Sequence, residues 1–240
     1  MTTSNPSSRT FIEKEGSNFS KRMKWLVSIM AFPNLLFENE RVRVSDVRLP
    51  VGESIHTTIA FPTVRWQVDD GWHKGPDGQP VKVDDKHVIF EEPGAACDIE
   101  NVGHGTYRQV WFEIKKEPLR TEEEVKRALS EAIYTTDVGT KLLFENRYCR
   151  VWDFYLEPGE GDPAAPHHHC LDYVFVYVSR GRLLGYSHDG SPGLFDSINE
   201  DGDVTWFDIP LGAEKDVHYA HAGKNGYDDS PMREYLVELK

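Results

Sequence analysis

Cysteine is scarce in this chain. Cys97, Cys149 and Cys170 are widely spaced, and no CxxC pair exists. An odd, scattered set excludes a disulfide framework and a zinc knuckle. It points to a reducing compartment, the cytoplasm. Positive charge is scarce as well: 27 Lys and Arg against 40 Asp and Glu leave a formal net charge of -13. Such a surface repels phosphate backbones and anionic headgroups, so neither nucleic acid nor a membrane surface is an expected partner. Long apolar runs are missing, so no segment reads as membrane-spanning. The nearest to a targeting signal is Trp25 to Phe32, after Lys21, Arg22 and Lys24. It is short, begins late and is stopped by Pro33. It reads instead as a strand or short helix that packs on the first domain. The Ser-, Thr- and Asn-rich residues 1–20 before it have a disordered composition.

What is present is a repeat. Residues 35–53 read LLFENERVRVSDVRLPVGE and residues 142–160 read LLFENRYCRVWDFYLEPGE; at an offset of 107, eleven of the nineteen pairs are identical. The ends match too, Phe112-Glu113-Ile114-Lys115 with Val237-Glu238-Leu239-Lys240. A third match aligns His87–Pro93 with Val204–Pro210. Short runs rich in β-branched and aromatic residues, such as Val42 to Leu49, Arg150 to Leu156 and Tyr173 to Val178, alternate with turn signals at Pro158-Gly159, Asp189-Gly190 and Asp201-Gly202. Many short strands imply a sandwich or barrel. Between the copies one helix is expected. Thr121 and Glu124 form its capping box, and Val125, Ala128, Leu129 and Ala132 form its apolar stripe. Trp66, Trp72, Trp111, Trp152 and Trp206 read as core.

The opening LLFEN with its V-x-D and P-G-E, the histidines followed by Asp172-Tyr173-Val174, and the closing Pro210-Leu211-Gly212-Ala213-Glu214 resemble the cupin superfamily. Small cupins of the β-alanine degradation type are the nearest in style. The resemblance implies an all-β fold of two tandem cupin (jelly-roll) β-sandwich/barrel domains joined by a helical linker. The divisions are an N-terminal extension over 1–33, a first domain over 34–115, the linker over 116–140 and a second domain over 141–240.

The first cupin motif has the form G-x5-H-x-H-x3,4-E-x6-G. Gly161, His167, His169 and Gly181 match it, but its carboxylate falls on Tyr173 or Val174. The second has the form P-x-G-x2-H-x3-N. Pro210 and Gly212 match, and its histidine falls on Lys215; aligning Ala96-Cys97-Asp98-Ile99 with Glu214-Lys215-Asp216-Val217 gives the same placement. His218 and His221 lie just beyond. On a strand His221 shares a face with Lys215, and His218 points the other way. The first copy has one histidine, His56, in this region and Cys97 at the second-motif position, so it reads as having lost any metal site.

The expected ligands of a divalent transition metal (Fe, Zn, Ni or Mn) are therefore His167 and His169, joined by His221 or His218. Lys215 and Tyr173 are candidates for binding substrate, and Asp172, Asp208 and Asp216 for orienting the imidazoles. The bland alternative is that the three histidines after Pro166 form a solvated loop that binds nothing.

Two functions compete. One is a metal-dependent enzyme acting on a small polar molecule as an oxygenase, isomerase or lyase. The other is a non-catalytic protein that binds a small-molecule ligand over a degenerate metal site. A third reading, a structural bicupin acting through oligomerisation, fits the modest size less well; a homodimer is the assembly kept open.

Overall fold

The computed structural model describes residues 33–161 and 166–240. Residues 1–32, where the N-terminal expectations fall, lie outside the described residues. The first half holds β1 (Asn34–Glu38), β2 (Val42–Leu49), β3 (Ser54–Thr58), β4 (Thr63–Gln67), β5 (Gly71–Lys74), β6 (Pro80–Val83), β7 (Val88–Glu91), β8 (Ala96–Glu100) and β9 (Tyr107–Ile114). Helix α1 (Glu122–Glu131) follows. The second half holds β10 (Lys141–Glu145), β11 (Cys149–Leu156), β12 (His167–His168), β13 (Asp172–Tyr177), β14 (Gly181–Ser187), β15 (Pro192–Asn199), β16 (Val204–Phe207), β17 (Ala220–Asn225) and β18 (Met232–Leu239). No helix among the described residues is long and apolar enough to cross a membrane.

The architecture is all-β, as the sequence implied. Each half contributes an antiparallel five-stranded sheet with the same order, β1-β2-β9-β4-β7 and β10-β11-β18-β13-β16. The registers agree residue by residue. Asn34 pairs with Asp46 as Lys141 pairs with Asp153, and the ladder is broken by a bulge at Leu35/Phe37 and again at Leu142/Phe144.

The facing layers differ. The second half has a four-stranded sheet, β12-β17-β14-β15. The first half has two separate ladders, β3-β8 and β5-β6, touching through one bridge between His73 and Asn101.

β2 and β11 are buried along nearly their whole length. Strands buried on both faces need a layer on each side. One face of each five-stranded sheet packs on the other half. Val42, Val44, Trp66 and Phe112 meet Val151, Val174, Tyr235 and Val237 in one core. Trp66 stacks on Tyr235 at 3.8 Å, and the Tyr235 hydroxyl donates to the Gln67 carbonyl at 3.0 Å. Ion pairs cross the same seam: Arg41 to Asp172 at 2.6 Å and Arg108 to Asp201 at 2.6 Å. The other face lines each barrel. The first lumen is filled by Val47, Leu49, Ile55, Ile59, Cys97, Tyr107 and Trp111.

The capping box at Thr121 and Glu124 is formed, and α1 buries Val125 and Ala128. Two expectations change. Trp72 is 41% exposed, at the edge of the small β5-β6 ladder rather than in a core. The third sequence match also slips by one residue. Val64 pairs with Phe90 and Val174 with Trp206, so Phe90 corresponds to Trp206, not to Phe207. A one-residue slip exchanges the two faces of a strand. Phe207 accordingly faces the second lumen, while Trp206 and Phe90 pack on the shared core.

Candidate metal centre

β12 is the shortest strand, yet it positions the chemistry. It runs antiparallel to β17, with His167 directly opposite His221 and His168 opposite Ala220. Alternation puts His167 and His169 on the lumen face and His168 on the other. His168 is fully buried behind the site. Its Nδ1 accepts from the Tyr134 amide at 3.3 Å, so its Nε2 is the donor to the Asp216 carbonyl at 3.0 Å. That histidine is a fastener between β12, the linker and the turn before β17.

The other three converge. The Nε2 atoms of His167 and His169 face each other at 3.2 Å, and the ligand atoms of His167, His169 and His221 all lie within 4.8 Å of one another. Two imidazole nitrogens at that spacing suit one shared ion, since Zn–N bonds run about 2.0–2.1 Å. His167 and His169 are each 3% exposed. Burial first, then the neighbouring rings of His167 and His221, holds the His169 imidazole well below its ordinary pKa. It is therefore neutral at pH 7, the state that ligation requires. The donor set fits a divalent transition ion.

The walls are aromatic. Tyr173 stacks on His169 at 3.9 Å, Phe207 stacks on Tyr173 at 4.9 Å, and Phe195 meets His221 edge-on at 5.8 Å. Tyr173 stands where the cupin motif places a carboxylate. Burial, and then Glu234 and Glu238, push its phenol far up, so it stays protonated. It serves as a surface against a ligand ring rather than as a ligand.

The histidines open on a cavity of about 450 Å³. Its lining is chiefly apolar, with Phe154, Phe175, Leu183, Leu194 and Leu236 among the residues. Glu234 is the buried carboxylate in that wall, 3% exposed on β18. It lies opposite Tyr177, whose phenol is held protonated by burial and by Glu234. Deeper in the second half Glu238 is fully buried. Its Oε2 accepts from Arg150 at 2.8 Å and from the Trp152 indole at 2.8 Å.

No family profile matches the sequence, and no curated protein matches it. Solved structures do match. The glyoxylate-induced protein of Pseudomonas aeruginosa aligns with a TM-score of 0.54 at 16% identity, over 84% of this chain and 75% of that one. AerE of Microcystis aeruginosa aligns at 0.51 and 8% identity, over 88% and 98%. A cupin 2 conserved barrel domain protein of Leptotrichia buccalis aligns at 0.44 and 14% identity, over 85% and 86%. The chain has the cupin fold, in two copies.

The two cupin barrels, laid over each other, correct the ligand assignment. Asn101 and Asn225 are buried equivalents. Asn101 donates to the carbonyl of Leu49, and Asn225 to that of Leu156, which is Leu49 displaced by the same 107 residues. Counting back from these asparagines, the counterpart of Cys97 is His221, not Lys215. His221-x3-Asn225 is the end of the second cupin motif, displaced by six residues. That extra length forms two short 3-10 turns over Ala213–Lys215 and Val217–Tyr219.

Neither of the other residues expected from that stretch joins the triad. Lys215 leaves the lumen and pairs with Glu131 of α1 at 2.7 Å, with its side chain 63% exposed. His218 is exposed at the mouth of the cavity, tilted toward His188 at 6.3 Å. A turn, unlike the strand expected there, lets successive side chains leave in unrelated directions.

The three aspartates are also engaged elsewhere. Asp172 binds Arg41 and the Ile209 amide, Asp208 accepts from the Trp206 indole, and Asp216 caps the His218 amide. The cysteines are no nucleophiles: all three are buried, and burial pushes the Cys149 and Cys170 thiols up to about 12.

Sequence reading missed Glu234. Its signal was weak: an acidic residue on a strand whose alternate positions, Met232, Leu236 and Glu238, face inward with it. Gly181, which matches the closing glycine of the first motif, is required sterically. A Cβ there would lie 2.7 Å from the Tyr177 ring.

Proposed function

We propose that the second barrel is a metal-dependent enzyme centre for a small organic molecule, with the first barrel as its scaffold. The observation that carries this is the convergence of three imidazoles on the wall of a mostly apolar cavity. His167 and His169, through Nε2, together with His221, are the residues that would hold a divalent ion of the Fe, Zn, Ni or Mn class. When bound, such an ion supplies Lewis acidity and, if redox-active, the capacity to bind dioxygen.

The chain's own residues define the rest. A cavity of about 450 Å³ suits a small ligand. Its apolar walls favour a substrate with an apolar body and a polar head turned to the histidines, more specific than the small polar molecule expected from sequence. Phe175, Phe207 and Leu236 exclude water from that head. Tyr173, stacked on His169, holds that imidazole in its orientation. Glu234 is placed to take up or return a proton at its carboxylate, which is the work an isomerase, lyase or oxygenase needs beside the ion.

Elemental analysis of purified, dialysed protein tests the centre. We expect about one transition metal per chain. His167→Ala with His169→Ala should remove it while circular dichroism still shows the folded β-structure, because the core shared by the two halves and the core of the first barrel contain neither histidine. Full metal content in the double variant would sink the assignment.

The binding-protein alternative draws on Tyr173 standing in place of a carboxylate ligand, and Glu234→Gln separates the two. In an enzyme it lowers turnover on any accepted substrate by about 100-fold or more, with metal content and ligand affinity kept. In a binding protein it changes affinity alone.

A further inference from the structure

Three large apolar side chains line the mouth of the second cavity while facing solvent: Leu194 is 50% exposed, Phe207 41% and Tyr219 36%. Deeper in the same cavity Phe154 and Leu236 are buried. Phe207 stacks on Tyr173, which stacks on His169, so the apolar wall is continuous from the histidines to the surface. Exposed apolar side chains grouped at the rim of a cavity mark a surface that a ligand covers.

Tyr219 reaches that rim on a segment peculiar to the second barrel. In the first barrel residues 92–95 join β7 to β8. In the second, residues 208–219 join β16 to β17 and fold into the 3-10 turns over Ala213–Lys215 and Val217–Tyr219. The turns are pinned to their surroundings. Lys215 pairs with Glu131, and the Ile133 amide donates to the Glu214 carbonyl at 3.1 Å. The Asp216 carbonyl accepts from His168 Nε2 and from the Tyr219 amide, each at 3.0 Å. Tyr219 is thus two hydrogen bonds from His168, which stands between His167 and His169. One frame holds both the rim and the three imidazoles, and so fixes the span between them.

We propose that the substrate is an amphiphile whose apolar body runs from the histidines out through the mouth, and that Tyr219 and Leu194 grip its outer end. This rests on the reading of the second barrel as a metal-dependent centre. It adds the length of the substrate and the residues that select it. A short polar molecule leaves the rim uncovered. A chain or ring system that reaches the rim buries it, and each further buried methylene strengthens binding about fourfold.

Straight-chain alkyl hydroxamates test this, since their heads bind a metal ion and their tails vary in length. Calorimetric titration of the purified protein with its bound metal is expected to show affinity rising from acetohydroxamate to octanohydroxamate. Tyr219→Ala should weaken octanohydroxamate about tenfold and leave acetohydroxamate unchanged. Tyr219→Phe should bind both as the parent does, because the ring rather than the hydroxyl makes the contact. Tyr219 lies at the surface, so both variants are expected to fold. Equal affinity of the parent for the two probes overturns the proposal. So does a Tyr219→Ala variant that keeps full affinity for octanohydroxamate or that loses both probes alike. A parent that binds no hydroxamate sinks the metal centre itself, and this proposal with it.

Discussion

Thr57, Ile59 and Cys97 hold in the first barrel the positions of His167, His169 and His221 in the second, and Gln109, Trp111 and Tyr107 those of Glu234, Leu236 and Met232. The backbone ladders that carry them are the same. In the first barrel the Trp111 indole donates to Gln109 Oε1 at 2.9 Å, and Gln109 Nε2 donates to Tyr107 at 2.8 Å and to Gln67 at 3.2 Å. That closed network leaves a packed core. In the second barrel Leu236 is smaller than Trp111, and the volume released is cavity. One frame therefore becomes core or site according to side-chain volume and to where the polar atoms find partners. In the first barrel the ligand types are lost, and Trp111 with the Gln109 network occupies the place of Leu236 and Glu234.

The comparison can be tested at several points. The strongest expected effect is at the seam that both barrels share. Trp66 is fully buried and stacked on Tyr235. Trp66→Ala should cost about 3–5 kcal/mol in urea unfolding, with both halves lost in one transition. Two separate transitions would show the barrels to be independent.

A smaller effect follows from pH in metal-free protein. The folded-state pKa of His169 lies below the ordinary imidazole value of 6.5. Below that value the unfolded chain gains a proton that folded His169 refuses, so stability is intact above pH 6.5 and declines as pH falls. One such proton gives a slope of at most about 1.4 kcal/mol per pH unit. A metal-free stability flat from pH 7 to 5 would remove this account. Metal retention should decline in the same direction.

The smallest expected change is none. Thr57→His, Ile59→His and Cys97→His together restore the ligand types to the first barrel but leave Trp111 and the Gln109 network in the place of Leu236 and Glu234. Metal content should stay at about one per chain, and a value of two would show that ligands alone had been missing.

The sequence by itself determined the fold and half of the candidate site. A repeat at constant offset, with β-branched runs and turn residues, leaves little choice of architecture, because side-chain alternation and turn chemistry are local properties. His167 and His169 were legible for the same reason, since two residues apart on a strand means one face. The capping box of α1 was legible because it closes within four residues.

Tertiary structure decided what depends on distance across the fold. His221 was hidden by six extra residues that displace the end of the motif, and its register opposite His167 and its spacing to the buried Asn225 pick it over His218 and Lys215. Glu234 became a site residue because β18 carries it into a cavity bounded by strands distant in sequence. Lys215 left the site because α1 offered Glu131. The difference between a filled barrel and an open one was decided last, since it rests on volumes summed over residues that meet only when the chain has folded.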